Sequence, residues 1–431
     1  MRTPMRVKLV ALGFVAAIPA VALANGYNVP NTNTRDLGLA DSARAAQFSA
    51  AAVYANPAAL AGLEGLNLSL GLSLLDLRND WHGPGGTEAA NAGVSGKMTA
   101  SMEFHLAPPP AFFVAYGGKV REHGWGVGVG WNIVAGGNVF WPDDWAGRFR
   151  IIQVDRKVHA FYLTGGIEVV KGVKIGGGLV YYRTSEDLIQ GINFITSEGQ
   201  VELAASGGAL SYDLSALVTP VEGFPLTLAV DYKHQGVQKL TGDAHFSNVP
   251  TALATSPMLQ DQAVTHFLTI PNVLSLGAAY RVVPRLLLTA GFTFDRYVVY
   301  PRDVFAGDLG ASVVVNRNYR NGVTYRLGGE FTVTPRLTVR AGALRDVSGL
   351  DTDAYNPSLP DSNAWAGALG ATWAFTPDLA LDAAVWYAHL DEVTATDTGP
   401  PPQAFPGRYN PQAFIYSLAV TWKDPLRTFI H

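Results

Sequence analysis

Charged side chains at alternate positions of otherwise apolar segments are the residues of this chain most able to do chemistry. Arg281, Arg326 and Arg340 lie on the face of their segments opposite the apolar side chains. A guanidinium binds carboxylates through charge-assisted hydrogen bonds, so these residues could hold an acidic ligand. Acidic residues alternate in the same way, however, and pairing across neighbouring strands is the simpler interpretation. The acidic candidates are Asp295, Glu330 and Asp382.

The other reactive residues do not form a catalytic arrangement. The chain has no Cys, which excludes disulfides, thiolate nucleophiles and thiolate metal sites. Its 9 His residues are scattered, and none accompanies a recognisable serine nucleophile motif. No phosphate-binding loop, EF-hand or paired-histidine motif occurs. The sequence therefore predicts a protein that is not an enzyme and that uses no cofactor or metal.

The composition is that of a membrane protein without membrane helices. Of the 431 residues, 48% are hydrophobic and only 15% are charged, against roughly 25% charged in soluble proteins. Beyond the N-terminus, no apolar run approaches the ~20 residues that a membrane helix needs. Apolar content without long apolar runs is typical of alternating strands. The net charge of −4 and the lack of a basic block argue against nucleic-acid binding.

Residues 1–24 have the pattern of a secretory signal peptide. Arg2 and Lys8 belong to a basic start, residues 9–20 are apolar, and Ala22-Leu23-Ala24 fits the small-x-small cleavage rule. The alternative interpretation is a retained membrane anchor. A signal peptide predicts export of the rest of the chain from the cytoplasm.

Residues 25–64 differ in composition from the remainder of the chain. They are rich in Asn and Ala, with a short helical stretch from residue 42 to about 51 and a break at Asn56-Pro57-Ala58. Because this segment is too small to hold a core of its own, we expect it to pack inside something larger. The residues C-terminal to it divide into an alternating region, 65–423, and a C-terminal tail, 424–431.

The alternating region contains fourteen predicted strands. Apolar and polar residues occupy opposite faces at a period of two, and Pro-centred turns at Pro284, Pro335 and Pro377 join three strand pairs. Single-chain bacterial barrels have an even number of strands. The predicted spans are 66–75, 109–117, 124–136, 157–170, 173–186, 200–219, 225–240, 268–283, 285–299, 322–333, 336–346, 363–375, 379–390 and 412–423.

Two folds are compatible with this alternation. A soluble β-sandwich would place the apolar face inside, whereas a membrane barrel would turn it towards lipid. The predicted signal peptide, the strand number and the aromatic residues near strand ends favour the barrel. We therefore predict an all-β membrane protein, a 14-stranded antiparallel β-barrel whose lumen is plugged by a small, partly helical N-terminal hatch at 25–64.

Long connections alternate with short ones, which places the long loops outside the cell and the short turns in the periplasm. The long loops predicted at 76–108 and 187–199 carry apolar side chains. Exposed apolar loops indicate a capture groove for a hydrophobic ligand, or alternatively a lid whose side chains pack on each other. The candidate capture residues are Trp81, Phe104, Leu106, Leu188, Ile192 and Phe194.

From about residue 25 to 423, the chain resembles the FadL/TodX family of outer-membrane transporters of long-chain fatty acids and other hydrophobic compounds. The resemblance rests on the order and spacing of several short motifs. These are Asn25-Gly26-Tyr27, Asn56-Pro57-Ala58 within 54–60, Trp141-Pro142-Asp143-Asp144-Trp145-Ala146-Gly147-Arg148-Phe149, Leu359-Pro360-Asp361-Ser362-Asn363, Thr376-Pro377-Asp378-Leu379 and Tyr387-Ala388-His389-Leu390.

The resemblance implies a transport route. Hydrophobic cargo would be captured outside, bound above a gating hatch and released sideways where the third strand kinks. Tyr27 and Asn56-Pro57-Ala58 would belong to the hatch and gate, with Asn56-Pro57-Ala58 packing near the kink. The alternative for Asn56-Pro57 is an ordinary loop after a helix. The kink would lie at Val134, Ala135, Gly136 and Gly137. The glycines of this strand have an alternative explanation, since they could simply relieve crowding beside the hatch.

The resemblance also implies the partners. They are a hydrophobic small molecule (a fatty acid, hydrocarbon or detergent-like lipid), outer-membrane lipids and lipopolysaccharide, with the protein acting as a monomer in the bacterial outer membrane. Two other functions remain open, a non-specific aqueous porin and a structural or adhesive barrel. The 25–64 segment argues against the porin, because a plug stops simple diffusion.

Overall fold

The computed structural model describes residues 33–84, 96–105, 109–221, 223–310, 312–350, 355–396 and 405–424. The predicted signal peptide, Tyr27, Leu106 and the tail beyond Asp424 lie outside these residues. Within the described ranges, no helix is both long enough and apolar enough to span a membrane.

Fourteen antiparallel strands form a closed barrel, as predicted. The first strand closes the barrel by pairing on one side with the second, Leu72 opposite Pro110, and on the other with the last, Leu72 opposite Leu418. The strands are β1 Gly65–His82, β2 Pro110–Val120, β3 His123–Phe140, β4 Gln153–Val170, β5 Val173–Asn193, β6 Glu198–Val218, β7 Leu226–Lys233 with Gly236–Ser247, β8 Gln262–Ile270 with Val273–Val283, β9 Leu286–Asp295, β10 Gly322–Thr332, β11 Leu337–Val347, β12 Ala364–Ala374, β13 Leu379–Leu390 and β14 Gly407–Lys423.

Apolar side chains face outward and charged side chains face inward. On β10, Tyr325 and Leu327 are 49% and 67% exposed, whereas Thr324 is buried. The guanidinium of Arg340 and the carboxylate of Asp382 are buried inside the barrel. A soluble sandwich would show the reverse, so the wall has the polarity of a barrel in lipid.

Two of the Pro-centred turns are held by the Thr that precedes the Pro. The hydroxyl of Thr334 accepts hydrogen bonds from the backbone N–H groups of Arg336 (3.3 Å) and Leu337 (3.0 Å). Thr376 does the same for the two residues after Pro377, at 3.2 and 3.0 Å. The side chain thus supplies the acceptor that a tight turn needs, and Pro fixes the backbone angle.

The predicted strands agree with the observed ones at their periplasmic ends, and several are too short at their outer ends, whereas the predicted span 285–299 is too long because β9 ends at Asp295. The predicted span 66–75 is part of a strand that runs to His82. The predicted loop at 187–199 is wrong, because β5 and β6 remain paired out to Asn193 and Glu198. Lipid imposes the alternation, and beyond the membrane both strand faces become polar, so the pattern stops before the strand does.

The described part of the predicted hatch, residues 33–64, lies inside the barrel. It contains helix α1 Thr34–Leu37, helix α2 Ala52–Ala55 and a 3₁₀ helix Pro57–Gly62. Asn56 caps the 3₁₀ helix by accepting a hydrogen bond from the Ala58 N–H at 3.1 Å, and Pro57 occupies the first position, where no N–H is required.

Glycines of the barrel wall make room for the hatch backbone. A Cβ on Gly124 would lie 2.0 Å from the carbonyl oxygen of Ala61, and one on Gly126 would lie 2.3 Å from that of Leu60. These two β3 glycines therefore relieve crowding beside the hatch. This was the alternative explanation for the glycines of this strand, in place of a role in the kink.

Buried ion pairs fasten the hatch to the far wall. Arg35 Nε lies 2.9 Å from Glu330 Oε2, and Arg340 Nε lies 2.6 Å from the same oxygen. Arg340 also reaches Asp382 at 3.4 Å, so the predicted cross-strand pairing of this arginine is confirmed. Arg281 behaves differently and donates to the Pro284 carbonyl in the periplasmic turn at 3.2 Å.

Substituting Gly126→Ala is expected to push the 3₁₀ helix off the wall and to destabilise the folded state by roughly 1–3 kcal/mol, the usual effect of overpacking. Chemical unfolding of the purified barrel measures this loss. Gly367→Ala is the matched control, because a Cβ at Gly367 of β12 meets nothing within 4 Å. Equal stability of both variants would contradict the proposed packing role.

Replacing Glu330 by Gln is expected to loosen the hatch, because it leaves Arg35 and Arg340 without their shared carboxylate. Removing one partner of a buried ion pair typically costs about 3–5 kcal/mol. Liposome swelling should then show faster entry of small sugars than in the wild type. Glu392→Gln, which removes an exposed carboxylate 3.8 Å from Arg408, should leave sugar entry unchanged. Unchanged flux in Glu330→Gln would show that the pair does not hold the plug.

Candidate functional site at the third strand

The third strand is irregular where the kink was expected. Ile133 lies opposite His159 of β4 and Ala135 lies opposite Val158, so Val134 is an extra residue, a β-bulge. A Cβ on Gly136 would lie 2.5 Å from the carbonyl oxygen of Arg156 on β4, which leaves space only for glycine. A bulge of this kind typically bends its strand and increases the local twist.

The bulge coincides with an interruption of the strand ladder. The second strand begins at Pro110, level with Leu72 of β1, and its pairing with β3 ends at Asn132. Above that level, within the part of the chain that the structure describes, residues 133–139 of β3 and 74–78 of β1 have no strand between them. Proline has no N–H to donate, which suits it to the end of a ladder.

A short segment bridges the two strands above the break. The Met102 N–H donates to the Asn79 carbonyl of β1 at 2.9 Å, and the Glu103 N–H donates to the Phe140 carbonyl of β3 at 2.8 Å. The imidazole ring of His105 stacks on the Phe140 ring, with centroids 3.5 Å apart. The strand ladder between β1 and β3 is therefore interrupted between β2 below and this bridge above, and residues 106–108, which join the two, lie outside the described residues.

A cavity of about 470 Å³ borders the interrupted ladder. Its lining includes Tyr54 of the hatch, Leu75 and Leu77 on the β1 edge, and Ile133 and Val134 on the β3 edge. The cavity therefore touches the plug and both edges of the interrupted ladder.

The charges around the cavity are balanced. Its lining contains six cationic and six carboxylate side chains, and four of the cations already form ion pairs. Of the other two, Arg44 donates to the Ala55 carbonyl at 3.1 Å and Arg326 donates to the Thr293 hydroxyl at 2.6 Å. The lining thus carries no net charge that would select an acidic ligand.

Tyr54 is a hatch residue that sequence reasoning missed. Its ring meets the edge of Tyr162 at 5.6 Å, and its carbonyl accepts a hydrogen bond from Lys233 at 2.8 Å. An aromatic residue in a stretch of small residues was the available signal, because only the aromatic side chain reaches beyond the hatch backbone.

The Asn56-Pro57-Ala58 element lies away from the bulge, contrary to the expected position. The Ala58 N–H donates to the Ser215 hydroxyl of β6 at 2.9 Å. Glycines 166 and 176 of β4 and β5 approach Pro57 and Ala58 so closely that a Cβ on either would clash. The element therefore fixes the floor of the hatch against β4–β6.

Burial raises the pKa of the Asp36 carboxyl in the same hatch, against the opposing effect of Arg35.

The predicted capture residues are only partly at the surface. Trp81 is 1% exposed and lies in an aromatic cluster, 5.5 Å from Trp145 and 5.2 Å from Phe405 between ring centroids. These rings bury one another, which fits the alternative of a lid whose side chains pack together and not an exposed capture residue at Trp81. Leu188 packs on the same cluster, and Ile192 and Phe194 are half-buried at the β5–β6 turn. Phe104 is 62% exposed.

The segment 141–149 contributes two rings to the same aromatic cluster. The Trp141 and Trp145 rings stack with centroids 4.4 Å apart, and each indole N–H donates to a backbone carbonyl. Arg148 is buried and its Nε lies 3.0 Å from a Glu198 carboxylate oxygen. The paired aromatic rings and the single Arg explain the residue types of this motif.

Comparisons with known proteins agree with this architecture. The profile of the family "Outer membrane protein transport protein (OMPP1/FadL/TodX)" matches residues 15–423. The 47 kDa outer membrane protein of Pasteurella multocida (strain Pm70) is 24% identical over 400 residues, which cover 87% of this chain and 89% of the relative.

Solved structures show the same fold. A FadL homologue of Pseudomonas aeruginosa has 21% identity and a TM-score of 0.81, covering 93% of this chain and 100% of its own. The toluene transporter TodX of Pseudomonas putida has 14% identity and a TM-score of 0.63, covering 88% and 94%. With the family profile matching almost the whole chain, the protein belongs to the OMPP1/FadL/TodX family of outer-membrane transporters of hydrophobic compounds and is not an enzyme.

Proposed function

We propose that this protein takes up hydrophobic molecules into the central cavity and releases them sideways into the outer membrane through an opening at the interrupted ladder between β1 and β3. One observation carries the proposal, namely that a single cavity is lined by Tyr54 of the hatch and by the edges of both strands. Its volume of about 470 Å³ lies within the roughly 300–1,000 Å³ of small-molecule sites.

A lateral exit suits the physical chemistry of the cargo. An apolar molecule loses about 25 cal/mol of favourable free energy for each Å² that it exposes to water. An exit into lipid avoids that exposure, whereas an exit along the barrel axis leads to the aqueous periplasm. The hatch, held by Glu330 and packed on wall glycines, blocks the axial path. This favours transport through the wall over a non-specific aqueous porin.

Gating is assigned to the hatch residues next to the cavity. Tyr54 contacts the lining directly, and Asn56-Pro57-Ala58 holds the segment beneath it in place. Tyr27 remains a candidate gate by family resemblance. Phe104 offers exposed apolar surface beside the bridge that closes the opening from above. It is the capture residue best placed for a first contact with cargo.

We infer that the cargo is recognised by its apolar body and that a carboxylate is not required. Cations and carboxylates are equal in number around the cavity, and most of the cations are already paired. Because no carboxylate is required, hydrocarbons, esters and fatty acids share the same route through the cavity.

Deleting Val134 is the sharpest test of the lateral exit. Val134 is the extra residue of the bulge, so its removal leaves Ile133 opposite His159 and Ala135 opposite Val158 in regular register. We expect a folded barrel with a straight third strand and uptake of tritiated oleate and labelled toluene reduced at least tenfold. Uptake is measured in cells that lack their own transporter, and folding by heat-modifiable gel migration.

Deletion of Gly223 is the matched control, because this residue lies in a periplasmic turn where a Cβ would meet nothing within 4 Å. It should leave uptake intact. Wild-type uptake by the folded Val134 deletion would rule out the exit at this position, and the cargo would then have to leave by another path.

Oleate and methyl oleate are expected to enter at rates within about threefold of each other. The physical reason is that the cavity supplies no net positive charge to distinguish the acid from its neutral ester. Competition of each compound against labelled toluene measures this ratio. A preference of tenfold or more for the acid would show that the carboxylate is recognised.

A further inference from the structure

A row of basic side chains crosses the outer surface of four neighbouring strands. His159 of β4 lies opposite Arg183 of β5, which lies opposite Gly208 of β6, which lies opposite Lys239 of β7. Arg183 and Lys239 are exposed and His159 is half-buried. Because adjacent strands lie about 4.8 Å apart, Arg183 and Lys239 stand about 10 Å from each other along the row.

The glycine between the two cations forms a notch. A Cβ at Gly208 would lie 2.5 Å from the hydroxyl oxygen of Tyr181, so that hydroxyl occupies the space where a side chain would stand. The notch is thus bordered by a guanidinium, an ammonium group and a phenol, all of which donate hydrogen bonds.

The row lies at the outer boundary of the apolar band. Arg183 is the eleventh residue of β5, which begins at Val173. Eleven residues at about 3.3 Å each, tilted by 35–45°, span about 26–30 Å, close to the ~25 Å height of the band. Below the row, the outward side chains of β4–β6 are apolar or aromatic. They include Phe161, Leu163, Leu179, Tyr181, Leu210, Tyr212 and Leu214.

The two cations lack the acidic partners that other outward cations have. Among the described residues, the side chain of Arg183 donates a hydrogen bond only to the Ser206 hydroxyl (2.9 Å), and neither it nor Lys239 forms an ion pair. By contrast, Arg345 on the opposite wall lies 3.2 Å from Asp391, and Lys157 lies 2.7 Å from Asp155.

We propose that this row binds phosphate groups of lipopolysaccharide in the outer leaflet. Arg and Lys bind phosphate through charge-assisted hydrogen bonds, and the row stands at the depth where the outer leaflet presents its phosphates. The acyl chains of the lipid lie against the aromatic and aliphatic surface below, on Phe161, Tyr181 and Leu210. The inner leaflet presents its phosphates at the periplasmic end of the strands, a full band height away.

Neighbouring acidic residues set the upper limit of the site. Asp187 and Asp243 lie four residues further out on β5 and β7, in one row with Ala204 between them. Their negative charge disfavours a second layer of phosphate, so the bound anions are confined to the basic row. His159 also lies opposite Ile133, the last regular residue before the bulge, which places the lipid on the β4 side of the opening.

The test compares three proteins in the presence of three lipids. Purified full-length wild type, the double variant Arg183→Gln/Lys239→Gln and the control Arg345→Gln are titrated with rough-type lipopolysaccharide and followed by native mass spectrometry. We expect the apparent Kd of the double variant to rise at least tenfold, with that of Arg345→Gln within twofold of wild type. Both variants alter exposed or outward-facing side chains, and heat-modifiable migration checks that they are folded.

Phosphatase-treated lipopolysaccharide and phosphatidylglycerol identify the ligand. Phosphatase-treated lipopolysaccharide should bind the wild type at least tenfold more weakly than untreated lipopolysaccharide does. Phosphatidylglycerol should also bind at least tenfold more weakly than untreated lipopolysaccharide. The proposal is overturned if the double variant binds within twofold of wild type, if the treated lipid binds equally well, or if phosphatidylglycerol competes as an equal. If Arg345→Gln lost as much affinity for lipopolysaccharide as the double variant, the effect would be one of general surface charge. That result would also overturn the proposal.

Discussion

Backbone hydrogen bonding in lipid is the constraint on which the whole structure depends. No water is available in the hydrocarbon to satisfy an exposed N–H or carbonyl, so a barrel wall is normally continuous. In this wall the ladder between β1 and β3 is interrupted where β2 begins at Pro110, and it resumes at the Met102–Glu103 segment. The edges of the interrupted part line the cavity, and we propose that apolar cargo reaches the membrane there.

The hatch lies inside the barrel beside the cavity. Its backbone lies against wall glycines at 124, 126, 166 and 176, and the Arg35–Glu330–Arg340 cluster ties it to the far side. The cavity borders both the hatch and the interrupted ladder at the bulge. Lateral release, as proposed, depends on both features.

The wall was predictable from sequence, whereas the site was predictable only in part. Lipid forces a period of two, which located all fourteen strands and the inward Arg340 with its acidic partners. The bulge at Val134 fell inside the segment implied by family resemblance. The packing partners of Trp81 and the position of Asn56-Pro57-Ala58 were not predictable, because both depend on contacts between residues far apart in the chain, such as Trp81 with Phe405 and Ala58 with Ser215.

The most direct measurement is an experimental structure of the protein in a lipid nanodisc soaked with a brominated hydrocarbon, with bromine located by its anomalous or difference signal. We predict bromine in the cavity beside Tyr54 and a second position between Leu75 of β1 and Val134 of β3, at the edge of the lipid. Bromine along the barrel axis beneath the hatch, with none in the opening, would contradict release through the wall.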